Sequence, residues 1–294
     1  MAAVERQPQV RPAFDLEALR PQLLVIAAGL LLAVPTFIRL GQQVWTKEIG
    51  AQGPIVLATG AWLVWRRWGA MREAAQPGPL WLTLLGVLVS LPIYVFGRAY
   101  DFISLEALGL YGFGLSLLHD RFGLKAMLAN WFPLFYLGFL LPAPGWLLDQ
   151  VTAPLKLFVT TVATTLVEPT GIPIMQQGVT MTVGPYQLLV EDACSGMNSL
   201  IGLISITMFY IYLLRDASWR YSAFLVALII PIAIAANVVR IIILINLTYF
   251  FGDAVGQGFL HVTSGLLLFA LSLLLMFAID NASQRVLAAV RRRA

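Results

Sequence analysis

The sequence predicts an all-α polytopic membrane protein of about eight transmembrane helices, with a small extracytoplasmic insert built from an amphipathic helix and a β-hairpin. Three observations carry that expectation. Mean hydropathy is +0.82. Charged residues make up 12% of the 294, about half the share of an ordinary soluble domain. Apolar stretches recur along the whole chain, at 21–40, 51–65, 80–97, 102–118, 126–142, 195–214, 221–247 and 259–279. Together these exclude a soluble enzyme, a disordered chain and a typical nucleic-acid binder.

The stretches differ in character. The first follows Arg6, Arg11 and Arg20, as a secretory signal would. Val34-Pro35-Thr36-Phe37 offers no small-x-small cleavage site, however, so it reads as a signal anchor. The second is short for a span. The seventh is the longest and has no charged break in its middle. Basic residues set the orientation. With a cytoplasmic N-terminus and eight spans, fourteen of the 19 lysines and arginines fall on the cytoplasmic side, and the remainder are Arg39, Lys47, Arg98, Lys156 and Arg240. Both termini are then cytoplasmic, and the net charge of +4 reflects topology in the inner membrane, not an acidic partner. Arg291-Arg292-Arg293 reads the same way, as a topology anchor. His119, in His119-Asp120-Arg121, reads as a solvated cytoplasmic loop residue. Gly109, Gly112 and Gly114 read as helix-packing positions, and Gly86 and Gly97 form no phosphate loop. The expected division is a tail at 1–20, accessory helices at 21–79, a membrane domain at 80–280 and a basic tail at 281–294.

The insert, at 143–194, has its own pattern. Leu147, Val151, Leu155, Phe158, Val162 and Leu166 recur every three or four residues, while Asp149, Lys156, Thr160, Thr161, Thr164 and Thr165 fall mostly elsewhere. That spacing predicts an amphipathic helix lying at the outer interface, ended by Pro169, Gly171 and Pro173. Val179-Thr180-Met181-Thr182-Val183 then alternates with period two, Gly184-Pro185 punctuates, and Tyr186-Gln187-Leu188-Leu189-Val190 follows as the second arm of a hairpin.

The hairpin delivers the chain to Glu191-Asp192-Ala193-Cys194-Ser195-Gly196. Cys194 is the sole cysteine, placed where the sixth span begins. Free N–H groups and the positive dipole end of a helix favour a thiolate, which is the nucleophile. Glu191 and Asp192 oppose it, so a cation must offset them. Arg240, in Asn237-Val238-Val239-Arg240, is a candidate for that cation, and Asn237 shares its helical face three residues earlier. His261 opens the eighth span, with Ser264 in the turn after it. The topology places Cys194, Arg240 and His261 at one depth on the outer side. Thiol, imidazole and guanidinium suit acyl transfer: a nucleophile, a proton carrier and an oxyanion stabiliser, with Arg240 and His261 able to exchange the last two parts. Taken singly, the cysteine reads as a small hydrophobe, the histidine as an interfacial residue and the arginine as a functional group, an anion site or a side chain that snorkels outward. One cysteine and two histidines on opposite sides make no zinc site of the usual spacing, so no metal and no cofactor are expected.

This pattern resembles the exosortase/archaeosortase family, multi-spanning membrane cysteine transpeptidases. The residues that carry the resemblance are Asp192 or Glu191, then Ala193-Cys194-Ser195-Gly196, then Arg240 after Asn237, then His261, within roughly 80–280. The resemblance implies a peptidase or transpeptidase acting on secreted proteins that end in a Pro-Glu-Pro-like motif, a hydrophobic span and a basic tail. Cys194 would form a thioester at the outer membrane face, with a lipid or glycan amine as acceptor, often alongside exopolysaccharide production. Asn237, Ser195, Asp192, Glu191 and Ser264 would support the three central residues or contact substrate. Membrane lipids are the other expected partner, and nucleic acid is not one. The competing reading is a transporter or lipid- or polysaccharide-assembly protein that binds an anionic group through Arg240 and Asn237.

Overall fold

The structure is a computed structural model that describes residues 16–47, 50–189, 195–213, 219–257 and 270–285. Its helices are α1 (Leu16–Gln43), α2 (Gly53–Glu73), α3 (Leu80–Ala99), α4 (Ile103–Ala129), α5 (Trp131–Leu137), α6 (Gly145–Val167), α7 (Ser195–Leu213), α8 (Trp219–Phe251), α9 (Asp253–Gln257) and α10 (270–285). Two helices among the described residues are long and apolar enough to cross a membrane, Leu80–Ala99 and Arg220–Phe251. The second stretch, short in sequence, is a 21-residue helix, because Arg66, Arg67 and Arg72 extend its last turns without breaking them.

The stretch 126–142 is not one helix. Gly123, at φ +73, breaks α4, and α5 starts afresh after Asn130 and ends in a 3₁₀ turn at Gly138–Leu140. The break has a use. The connector between α2 and α3 lies against α4 here, and the Phe122 carbonyl accepts the Gln76 amide at 3.0 Å. The Gln76 carbonyl occupies the space that a side chain at Gly123 would take. The same connector corrects the reading of His119. It is not a solvated loop residue but a buried one inside α4, 7% exposed, with Nδ1 2.9 Å from the Thr83 hydroxyl and its ring against Gly78. An amphipathic pattern that ends in His-Asp-Arg looks like a helix end, whereas α4 runs on past it.

α3 and α4 form the closest helix pair. A methyl group at Gly97 would enter the backbone at Glu106, and one at Gly109 would enter the backbone at Tyr94. A methyl group at Gly112 would lie 3.2 Å from the Ser90 side chain, but nothing lies within 4 Å of a Cβ at Gly114, so that glycine is not a packing position. A buried ionic clamp ties this pair to α1. Glu106, in the first turn of α4, is fully buried and pairs with Arg39 of α1 and with Arg98 of α3 at 2.9 Å, and Thr36 donates to it at 2.8 Å. Arg39 also pairs with Asp101. Two of the five basic residues left over by the orientation count, Arg39 and Arg98, are therefore held by one carboxylate.

The insert contains a three-stranded antiparallel sheet in place of a two-stranded hairpin: β1 (Ile174–Gln177), β2 (Thr180–Val183) and β3 (Tyr186–Leu189), in that order. Ile174-Met175-Gln176-Gln177 has no apolar alternation, which is why β1 is silent in the sequence. The apolar stripe assigned to α6 also needs correction. Leu147, Phe158 and Leu166 point outward, and the buried residues are Thr152, Val159, Thr160, Ala163 and Val167. Thr160 buries because its hydroxyl bonds back within the helix, to the Lys156 carbonyl at 2.8 Å.

α8 is the central element. Near its start, Leu225, Ile229, Ile232 and Ala233 form a core with Leu203 of α7 and Met276 of α10. Further along, Val238, Ile241 and Ile245 form a second core with Val159, Ala163 and Val167 of α6 and with Met181, Val183 and Leu188 of the sheet. The insert therefore rests on the later half of α8. At the other end, Asp280 of α10 is buried, accepts the Tyr210 hydroxyl at 2.6 Å and also accepts Tyr221.

Candidate active site

Of the eight residues singled out in the sequence, Arg240 and Asn237 have described side chains. Both lie in the later half of α8, beside the insert, and they are 1% and 4% exposed. The helix presents two adjacent buried stripes there. Val238, Ile241 and Ile245 meet the insert, whereas Asn237, Arg240, Leu244 and Thr248 form a second stripe about 90° around. Val239, Ile243 and Phe250 occupy the opposite, exposed face. Asn237 and Arg240 are thus on one face of one helix. A guanidinium enclosed in a membrane protein needs partners or a cavity, which makes Arg240 the strongest local sign of function.

The chain on either side returns to the later half of α8. After α8, Gly252 adopts φ +87, a conformation that favours glycine, and the chain reverses into α9. There Gly256 packs against the side chain of Thr248, at the end of the Arg240 stripe, where only a glycine fits. His261 follows α9 by four residues. On the other side, the turn that opens β3 lies at the end of α8: a methyl group at Gly184 would lie 3.9 Å from the Tyr249 ring, and one at Gly252 would lie 3.6 Å from the Tyr186 hydroxyl. From that turn β3 leads to Leu188, which joins the Ile241 and Ile245 core. Cys194 follows Leu189 by five residues, and Ser195 begins α7. Cys194, Asp192, Glu191, His261 and Ser264 lie outside the described residues.

Thr248 is a stripe member that the sequence reading missed. It is fully buried, and its spacing of eight from Arg240, two turns of helix, was the available signal. Among the described residues, no group of three His, Cys, Asp or Glu side chains is arranged to hold a metal ion.

This fold and this stripe define a helical membrane protein with a cation enclosed in its core beside an insert. The transmembrane exosortase family profile matches residues 44–278. The chain belongs to that family, and the match runs through Cys194, Arg240 and His261. Membership brings a membrane location, a transpeptidase-type function and substrate proteins that carry sorting signals. No curated protein and no solved structure matches the chain.

Proposed function

We propose that this protein is a membrane-embedded cysteine peptidase or transpeptidase that cleaves C-terminal sorting signals of the Pro-Glu-Pro type at the outer face of the inner membrane. The observation that carries the reading is the burial of Arg240 together with Asn237 on the half of α8 that bears the insert. In this account the chain crosses the membrane about eight times, with both termini in the cytoplasm.

Cys194 acts as the nucleophile. Its thiolate adds to the carbonyl of the scissile bond and forms a tetrahedral oxyanion. Arg240 stabilises that charge from a low-dielectric site, where a fixed cation acts more strongly than in water. His261 protonates the leaving amine, the C–N bond breaks, and a thioester to Cys194 remains. The cleaved hydrophobic helix stays in the bilayer. His261 then takes a proton from the incoming amine of a lipid or glycan, or from water, and the thioester resolves. Asn237 fixes the position of Arg240, and Ser195, Asp192, Glu191 and Ser264 support the nucleophile and the histidine. The sheet and α6, packed on the neighbouring stripe of α8, flank the site and restrict bulk water, which favours transfer over hydrolysis.

The test is the intact mass of a secreted reporter ending in a Pro-Glu-Pro motif, an apolar span and a basic tail, co-expressed with wild-type or Cys194→Ala protein. The expected result is a shortened reporter with wild type alone, carrying added mass at its new C-terminus. Equal shortening with Cys194→Ala overturns the proposal.

A further inference from the structure

The first half of the chain forms a long apolar groove that no residue of α8 lines. Helices α1, α2, α4 and α5 line a cavity of about 1050 Å³, at the upper end of the range for small-molecule sites. Its α1 wall is Val25, Gly29, Ala33, Phe37 and Leu40, one face of the helix over about 22 Å, a large part of a hydrocarbon core of about 30 Å. One end, at Leu140 and Leu141, is apolar. The other carries Trp68, Asp120 and Arg121. The Arg72 guanidinium lies over the Trp68 ring at 5.7 Å, so a second cation stands at that end. Exposed Trp65 and Arg66 and half-buried Arg67 continue the belt, an aromatic and basic composition that marks a membrane–water interface.

Apart from Tyr111, whose hydroxyl donates to the Leu134 carbonyl at 2.6 Å, the groove is polar at a single end, and the two cations there outweigh the carboxylate of Asp120. We propose that this groove is a binding site for one anionic phospholipid, its acyl chains running along Gly29, Ala33 and Gly114 and its phosphate at Arg121 and Arg72. Gly114 lines the groove with nothing within 4 Å of a Cβ, which leaves the chains a smooth wall. The site is separate from the proposed chemistry at Cys194 and does not depend on it.

The test uses full-length protein in phosphatidylcholine bilayers doped with phosphatidylglycerol brominated on its acyl chains. Bromine quenches nearby indoles, and subtracting the Trp68→Phe signal isolates Trp68. The expected result is half-maximal Trp68 quenching at a mole fraction about tenfold lower for brominated phosphatidylglycerol than for brominated phosphatidylcholine. Arg121→Gln removes that preference, and Gly114→Leu, which fills the groove without touching backbone, removes the quenching at low mole fraction. Circular dichroism and the unfolding midpoint verify that both variants fold. Equal quenching by the two lipids overturns the proposal. So does unchanged lipid quenching in Gly114→Leu accompanied by loss of reporter cleavage, which assigns the groove to the substrate's apolar helix.

Discussion

Glu106→Gln is the most informative perturbation of the fold. The Glu106 side chain is fully buried and pairs with Arg39, itself 14% exposed, and with Arg98, 43% exposed. Removing one partner of a buried ion pair costs about 3–5 kcal/mol, because the other charge is left uncompensated. The Arg98 share falls to the surface range of about 0–1 kcal/mol, and the amide retains an oxygen for Thr36, so the net expectation is about 2–4 kcal/mol. Asp101→Asn is the internal control. Asp101 pairs with the same Arg39 but is 80% exposed, and its φ of +62 is one that asparagine also tolerates. Its expected cost is below about 1 kcal/mol. The assay is unfolding by increasing dodecyl sulfate fraction in mixed micelles, followed by circular dichroism. An Arg39→Gln/Glu106→Gln double variant is expected to lose less than the sum of the singles. A Glu106→Gln cost no larger than that of Asp101→Asn refutes the view that this carboxylate locks α1, α3 and α4 together.

Three further predictions use the same material. Gly109→Leu forces a side chain into the Tyr94 backbone and is expected to cost about 3 kcal/mol, the top of the overpacking range, in the same titration, whereas Gly114→Leu is near neutral. Asp280→Asn weakens acceptance from Tyr210 and Tyr221 and is expected to cost about 1–2 kcal/mol, with no change in the kind of product formed on the reporter. Arg240→Gln removes the proposed oxyanion cation and lowers reporter processing about 10²–10³-fold, and Asn237→Ala lowers it less, as measured by single-turnover cleavage.

Much of the fold is legible in the sequence because burial in a membrane protein is written in long apolar runs. The helices that begin near 80, 195 and 219 follow such runs, and the break into the insert follows Pro142 and Pro144. What escaped depends on partners far away in sequence. The Arg39–Glu106 pair joins residues 67 positions apart, and no local spacing announces it. His119 has a polar local context that suggests solvent, but the connector at 74–79 folds back over it. The face of α6 was misread because threonine is counted as polar, whereas Thr152 and Thr160 are buried. At the candidate site, Arg240 and Asn237 stand out in sequence as polar residues inside an apolar run. Thr248 does not, because a single threonine there looks like tolerated variation.

The central claim is that Cys194 carries the substrate as a thioester, and trapping that intermediate tests it most directly. Wild-type protein is incubated in bilayers with the reporter, quenched in acid, digested and read by mass spectrometry. The account predicts that the Cys194 peptide carries the reporter's new C-terminal fragment through a bond cleaved by neutral hydroxylamine, and that it forms more slowly in His261→Ala, where the leaving amine is no longer protonated. Reporter cleavage that proceeds with an unmodified Cys194 peptide, and equally well in Cys194→Ala, contradicts the account.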